Sequence, residues 1–139
     1  MRNRTKAREA ALNFLYKMDM TGDFFPEIDE IDDYLGGFDD VVRDYARHLI
    51  SGYLSKRPEI NAKLATASRN WALDRMIAID RNILRLATYE LLHTDVPPKV
   101  AIDEAVELAK KFSTYNSKKF VNGVLDSIYH NDARYKMAS

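Results

Sequence analysis

Val100-Ala101-Ile102-Asp103-Glu104-Ala105-Val106-Glu107-Leu108-Ala109-Lys110-Lys111-Phe112 is followed, after Ser113-Thr114-Tyr115-Asn116, by Ser117-Lys118-Lys119-Phe120-Val121-Asn122-Gly123-Val124-Leu125-Asp126. Apolar residues fall at 102, 105, 106, 109 and 112, and again at 121, 124, 125 and 128. That spacing puts one buried stripe on each of two helices joined by a short polar turn. Asn116 or Ser117 is the expected N-cap of the second helix. Lys110, Lys111, Lys118 and Lys119 bracket the turn. A helix N-terminus with unpaired N–H groups, flanked by ammonium groups, favours phosphate, so the junction points to binding and not to catalysis.

The same helical period runs through the rest of the chain, and no stretch shows the sustained alternation of a half-buried strand. A first helix is expected over about residues 4–20, burying Ala7, Ala11, Phe14, Leu15 and Met18 and ending at Thr21-Gly22-Asp23. A short acidic helix near 27–35 stops at Gly36-Gly37. Asp39 or Asp40 then starts a long helix through Val42, Tyr45, Ala46, Leu49, Tyr53 and Leu54, and Pro58 opens another with Ile60 and Leu64 inward. The pattern lapses around Ser68-Arg69-Asn70-Trp71. Asp74 is then the expected cap of a helix carrying Met76, Ile79, Ile83, Leu84, Leu86, Ala87 and Leu91. That helix is apolar on more than one face, which fits a central position. Pro97 and Pro98 end it, and Pro98 can begin the next helix. The expectation is an all-α fold of about seven helices, one domain over 1–139 built as two packed three-helix subdomains, about 1–70 and 71–139.

The chain has 139 residues, enough for one core. No apolar run approaches the ~20 residues of a membrane span, and no signal peptide is recognisable, so a cytoplasmic location without membrane association is expected. With zero cysteines and three dispersed histidines, His48, His93 and His130, no metal or cofactor is expected. Net charge is zero but unevenly distributed: residues 1–18 carry +4, residues 19–44 carry −9 and residues 45–139 carry +5. Overall neutrality therefore excludes little about partners. The acidic run Glu27–Asp33 lacks the spacing and glycine of a calcium loop and reads as a solvated helix face.

Arg2, Arg4, Lys6 and Arg8 form a basic arm able to follow a nucleic-acid backbone; the plainer account is a solvated terminus. Phe120, at the edge of its stripe beside Lys118 and Lys119, suits either base stacking or a boundary place in the core. Gly123 costs its helix ~1 kcal/mol relative to alanine, for which close helix packing is the plain explanation. Tyr16, Asp80 and Glu90 interrupt apolar faces. Either both carboxylates pair with Arg81, Arg85 or another cation while Tyr16 tips its hydroxyl outward, or these residues meet a partner protein. No phosphate loop, nucleophile elbow or metalloprotease motif is found, so no catalytic residues are expected.

Four ordered blocks give the chain a resemblance to the NusB family of bacterial transcription antitermination factors. They are Ala7–Tyr16, Ile79–Leu91, Val96–Ala105 and Lys119–Asp126. The resemblance implies an all-α fold of two three-helix subdomains that binds RNA without catalysis. It implies pairing with NusE, a small-subunit ribosomal protein, recognition of single-stranded boxA-type RNA in nascent ribosomal transcripts, and assembly with RNA polymerase. By motif position it places Arg4, Lys6 and Arg8 in an RNA-binding arm, Lys119 and Phe120 at a second RNA contact, and Tyr16 and Asp80 toward NusE. The arm is sparser than the arginine runs of some members. Asn116 stands where some relatives carry an acid, a change that favours phosphate.

Two other readings stay open at this point. One is a protein-binding adaptor or homodimer whose basic residues only solvate its surface. The other is a stand-alone relative of the helical domain at the front of some RNA cytosine methyltransferases, whose catalysis needs a following α/β domain; none is expected after Ser139.

Overall fold

The computed structural model describes residues 2–69 and 72–132. Among them the chain forms seven α-helices, one 3-10 turn and no strand. They are α1 (Asn3–Thr21), α2 (Ile28–Leu35), α3 (Asp40–Ser55), α4 (Arg57–Ala67), α5 (Ala78–His93), α6 (Pro98–Phe112) and α7 (Ser117–Asn131). The all-α expectation holds. Of the stretch where the pattern lapses, Asn70 and Trp71 lie outside the described residues.

Turn chemistry sets most of the helix ends. Gly22 stops α1 in the left-handed conformation, φ 75°, where a side chain would be strained. Pro98 opens α6 and Pro58 stands in the first turn of α4, positions at which the missing N–H has no helical partner to lose. The start of α5 differs from expectation. Asp74 does not cap it but lies in the 3-10 turn Leu73–Arg75, and Met76 precedes the helix in extended conformation. The reason is Arg81, whose Nη1 donates to the carbonyls of Leu73 at 2.8 Å and Met76 at 3.1 Å. Those acceptors are thereby held in a loop folded back on the first turn of α5. Met76 is nonetheless buried.

Helix α5 is the axis of the molecule. Every residue from Asn82 to Leu92 is buried, and α5 packs against α1, α3, α4, α6 and α7. Burying each large apolar side chain contributes roughly 1.5–3 kcal/mol, so this helix anchors the core. One hydrophobic cluster runs through all seven helices. The stripe of α7 is buried as its spacing predicts, at Val121, Val124, Leu125 and Ile128. That of α6 shifts: Leu108 is inside, whereas Phe112 is exposed with the Lys111 ammonium 5.3 Å from its ring centroid. No helix is long and apolar enough to cross a membrane among the described residues.

Close helix packing occurs at a glycine other than the expected one. A Cβ on Gly123 would meet nothing within 4 Å, so α7 does not need a glycine there for packing. A Cβ on Gly52 in α3 would lie 2.1 Å from Cζ of Tyr89. The ring of Tyr89 on α5 therefore rests on bare α3 backbone. Gly123→Ala is expected to be neutral or to stabilise by up to ~1 kcal/mol through helix propensity. Gly52→Ala is expected to destabilise by ~1–3 kcal/mol through overpacking. Urea unfolding of the two variants checks both signs.

Candidate nucleic-acid interface

The basic arm divides into two parts with different environments. Arg2, Arg4 and Lys6 are exposed on or beside the first turns of α1. Arg8 is 3 % exposed. Its Nε and Nη2 donate to the two carboxylate oxygens of Glu90 on α5 at 2.7 and 2.8 Å, and its Nη1 donates to Glu104 on α6 at 3.1 Å. Burial alone would lower the pKa of Arg8, but the hydrogen bond with Glu90 and the charges around it raise it overall. The structure thus separates Arg8 from the exposed part of the arm and makes it an internal brace. Its α1 position, between Ala7 and Ala11 on the buried side, carries the signal: a charge on an apolar stripe needs an internal partner. Glu90 pairs with this arginine and not with Arg81 or Arg85, which instead bond Asp19.

The brace extends outward to Arg4. The Tyr45 hydroxyl on α3 donates to Glu90, and the Arg4 guanidinium lies 4.4 Å from the centroid of the Tyr45 ring. Burial and the neighbouring Glu90 carboxylate hold the Tyr45 phenol well above its usual range, so it remains a donor. A cation stacked on an aromatic face at an exposed site is worth ~0.5–1 kcal/mol, enough to bias the direction of Arg4.

The second basic cluster is the turn between α6 and α7. Lys110 pairs with Glu107 and Lys111 with Glu9 on α1, leaving Lys118 and Lys119 without a carboxylate partner among the described residues. Lys118 lies 5.7 Å from the centroid of the Tyr115 ring, a side chain 87 % exposed. Periodicity offers no reason to single out Tyr115, because exposure of a turn residue is not a periodic property.

Asp80, expected to face a partner, is 5 % exposed. Its carboxylate accepts from Ser113 Oγ at 2.6 Å and Ser117 Oγ at 2.9 Å. It therefore fastens the α6–α7 turn to the start of α5, and it lines the same cavity as Phe120. Two consequences follow. The hydroxyl of Ser117, first residue of α7, is directed to Asp80, and Asn116 makes no side-chain cap. A carboxylate already stands at the positive end of α7, so affinity for phosphate there falls to the free ammonium groups of Lys118 and Lys119 and not to the helix end.

Phe120 is half-buried. One side packs on the hydrophobic cluster, while the ring also lines a cavity of about 300 Å³ with Arg75, Met76 and Ile77. Tyr16 is 37 % exposed on α1, with Met20 one turn further and 54 % exposed. The pair makes an apolar strip that spacing alone did not single out.

The residues at 5–130 match the model of the NusB family. The chain belongs to the NusB family. It is 44 % identical over 128 residues to the transcription antitermination protein NusB of Anaeromyxobacter dehalogenans, covering 90 % of this chain and 89 % of that one. Among solved structures, NusB of T. maritima superposes with a TM-score of 0.85 at 36 % identity, covering 98 % of this chain and 97 % of the other. A complex of the antitermination factors NusB and NusE with double-stranded RNA contains a chain matching at TM-score 0.78 and 28 % identity, over 99 % and 98 % of the two chains. The family expectation drawn from the four sequence blocks therefore holds.

Arg8→Lys tests the brace, since an ammonium keeps the charge but cannot span both oxygens of Glu90 and reach Glu104. The expected outcome is a stability loss of ~1.5–3 kcal/mol, the worth of a hydrogen bond to a charged group. The salt dependence of RNA affinity per folded molecule should be unchanged, because Arg8 itself contacts no phosphate. Denaturant titration and RNA binding on one sample measure both.

Proposed function

We propose that this protein is a transcription antitermination factor that binds boxA-type RNA of nascent ribosomal transcripts together with NusE and helps to assemble the antitermination complex on RNA polymerase. Family membership over residues 5–130 carries the assignment. The observation that supports RNA as ligand is a pair of cation groups that have no carboxylate partner among the described residues: Arg2, Arg4 and Lys6 at one end of α1, and Lys118 and Lys119 at the α7 start. These are the proposed phosphate contacts, with Phe120 as a base contact through the side that faces its cavity. The role is binding and not catalysis, and the proposed location is the cytoplasm. The two-subdomain organisation, divided near residue 70, is likewise proposed, with α5 shared by the packing of both halves.

The RNA is proposed to be single-stranded at the protein surface, because a stacking aromatic needs an unpaired base. The solved relative with NusE holds double-stranded RNA, so a duplex belongs in the same titration. The NusE contact is proposed on the exposed strip of Tyr16 and Met20, an aromatic anchor of the kind that dominates interfaces.

Titration of boxA-like, scrambled and duplex RNA, with and without NusE and at two salt concentrations, tests the reading. Affinity should be highest for boxA-like single strands with NusE present, and log affinity should fall with log salt by ~0.7 per phosphate neutralised. Lys119→Ala should weaken all RNAs similarly and make that slope shallower. Phe120→Ala should lose ~1–3 kcal/mol of RNA affinity with little change of slope. A stability loss of ~3–5 kcal/mol without an affinity change would assign Phe120 wholly to the core. Tyr16→Ala should weaken NusE binding by more than ~1 kcal/mol in calorimetry while helical content is kept.

A further inference from the structure

A second place where the structure is shaped for an unpaired base lies on the other side of Arg4. Arg4, Tyr45, His48, His93, Asp95 and Pro97 line a cleft of about 730 Å³ between the start of α1, the face of α3 and the loop joining α5 to α6. That volume falls within the ~300–1,000 Å³ typical of small-molecule sites. Three of its lining rings, Tyr45, His48 and His93, belong to a ladder completed by the buried Tyr89 behind them. Tyr45 and His48 have centroids 5.9 Å apart, His48 and Tyr89 5.5 Å, and Tyr89 and His93 5.7 Å, the last pair stacked. The guanidinium of Arg4 caps the ladder on the Tyr45 ring.

We propose that this cleft takes one unpaired nucleotide of the RNA, its base stacked against Arg4 and the Tyr45–His48 rings and its phosphate turned toward Arg2 and Lys6. The inference rests on the RNA-binding reading above and deepens it by adding a base site to the arm. Planar guanidinium groups and aromatic rings are the surfaces on which splayed bases stack. Charge gives the orientation. Asp95 is the one carboxylate among the described residues lining the cleft; it repels phosphate and can accept from an N–H on a base edge, whereas the free cations lie on the arm outside. The stacking surface is also held in place from beneath, since the hydroxyl of Tyr45 is bonded to Glu90 and Glu90 to Arg8. A side chain fixed in this way contributes to binding without a large ordering cost.

The test is photo-crosslinking of boxA-like RNA carrying 4-thiouridine at each position in turn, in complex with this protein and NusE, followed by peptide mapping. One position is expected to crosslink within residues 45–48 or 92–97. Removing the base at that position should lower wild-type affinity ~10-fold or more, the scale of one lost stacking contact. His48→Glu, at an exposed side chain, should lower affinity for intact RNA to at least a similar extent and affinity for the abasic RNA by clearly less, the smaller loss being charge repulsion alone, with an unaltered thermal midpoint. If the wild type binds RNA but no position crosslinks to the cleft, and His48→Glu binds within about twofold of it, the cleft proposal is overturned while the RNA-binding function stands. Absence of RNA binding by the wild type with NusE overturns both. Because the abasic comparison uses the unaltered protein, it decides the matter even if the variant misfolds.

Discussion

Arg8 and Glu90 form a bidentate ion pair inside a bundle of helices, and the relation of α1 to α5 depends on it. Taking both charges out of water costs several kcal/mol per ion, which only close geometry and further hydrogen bonds can offset. Here Glu90 also accepts from Tyr45 on α3, and Arg8 also reaches Glu104 on α6, so one buried pair ties four helices together. A matching group closes the other end of the same two helices. Asp19, near the C-terminus of α1, accepts from Arg81 at 2.7 Å and Asn82 at 2.9 Å and lies 3.3 Å from Arg85. Burial would raise the pKa of Asp19, but these hydrogen bonds and the two guanidinium charges hold it below the ordinary carboxylate range.

The two clusters make the packing directional. Helix α1 carries its inward cation early and its inward anion late, and so does α5. Only an antiparallel arrangement sets Arg8 opposite Glu90 and Asp19 opposite Arg81; a parallel one would set like charges together. A slip by one turn, ~5.4 Å along the axis, would leave both clusters buried and unpaired. Apolar packing alone tolerates exchange of partners of similar size, so the ionic ends select the register. Gly52 adds a steric condition of the same kind, because the Tyr89 ring fits only where α3 lacks a side chain.

That division explains what was legible in the sequence. The helices, their buried stripes and the central place of α5 follow from periodicity, since a 3.6-residue repeat reports which side is inside. The fate of charges on that inner side is a pairwise property of residues 82 or 96 positions apart, such as Arg8 with Glu90 and Glu104, and no local pattern encodes it. Read locally, Arg8 belongs to the arm and Asp80 to a surface; in three dimensions each is a brace behind the surface it was expected to form. The start of α5 was misplaced for the same reason, Arg81 taking carbonyls that a local reading assigns to a helix. The Cys-free composition was informative at once because it depends on no distant partner, whereas the basic turn was legible only in part, since Glu9, 102 positions away, takes Lys111.

Binding capacity then follows from pairing and not from the count of charges. A neutral chain has no net attraction for RNA at long range, and screening over ~8 Å at physiological salt leaves only local fields to act. Local fields depend on which cations have been neutralised internally. Arg8, Arg81, Lys110 and Lys111 lie against carboxylates, whereas Arg2, Arg4, Lys6, Lys118 and Lys119 do not. The acids that balance the total are concentrated in residues 19–44, net −9, largely on exposed positions of α2 and the start of α3. Segregation of this kind gives one molecule local regions that attract phosphate and others that repel it. Each of the two cation groups is small, so the phosphate-binding surface they offer remains limited until a basic partner extends it, which is the physical reason for expecting RNA binding by the pair to exceed that of either chain alone.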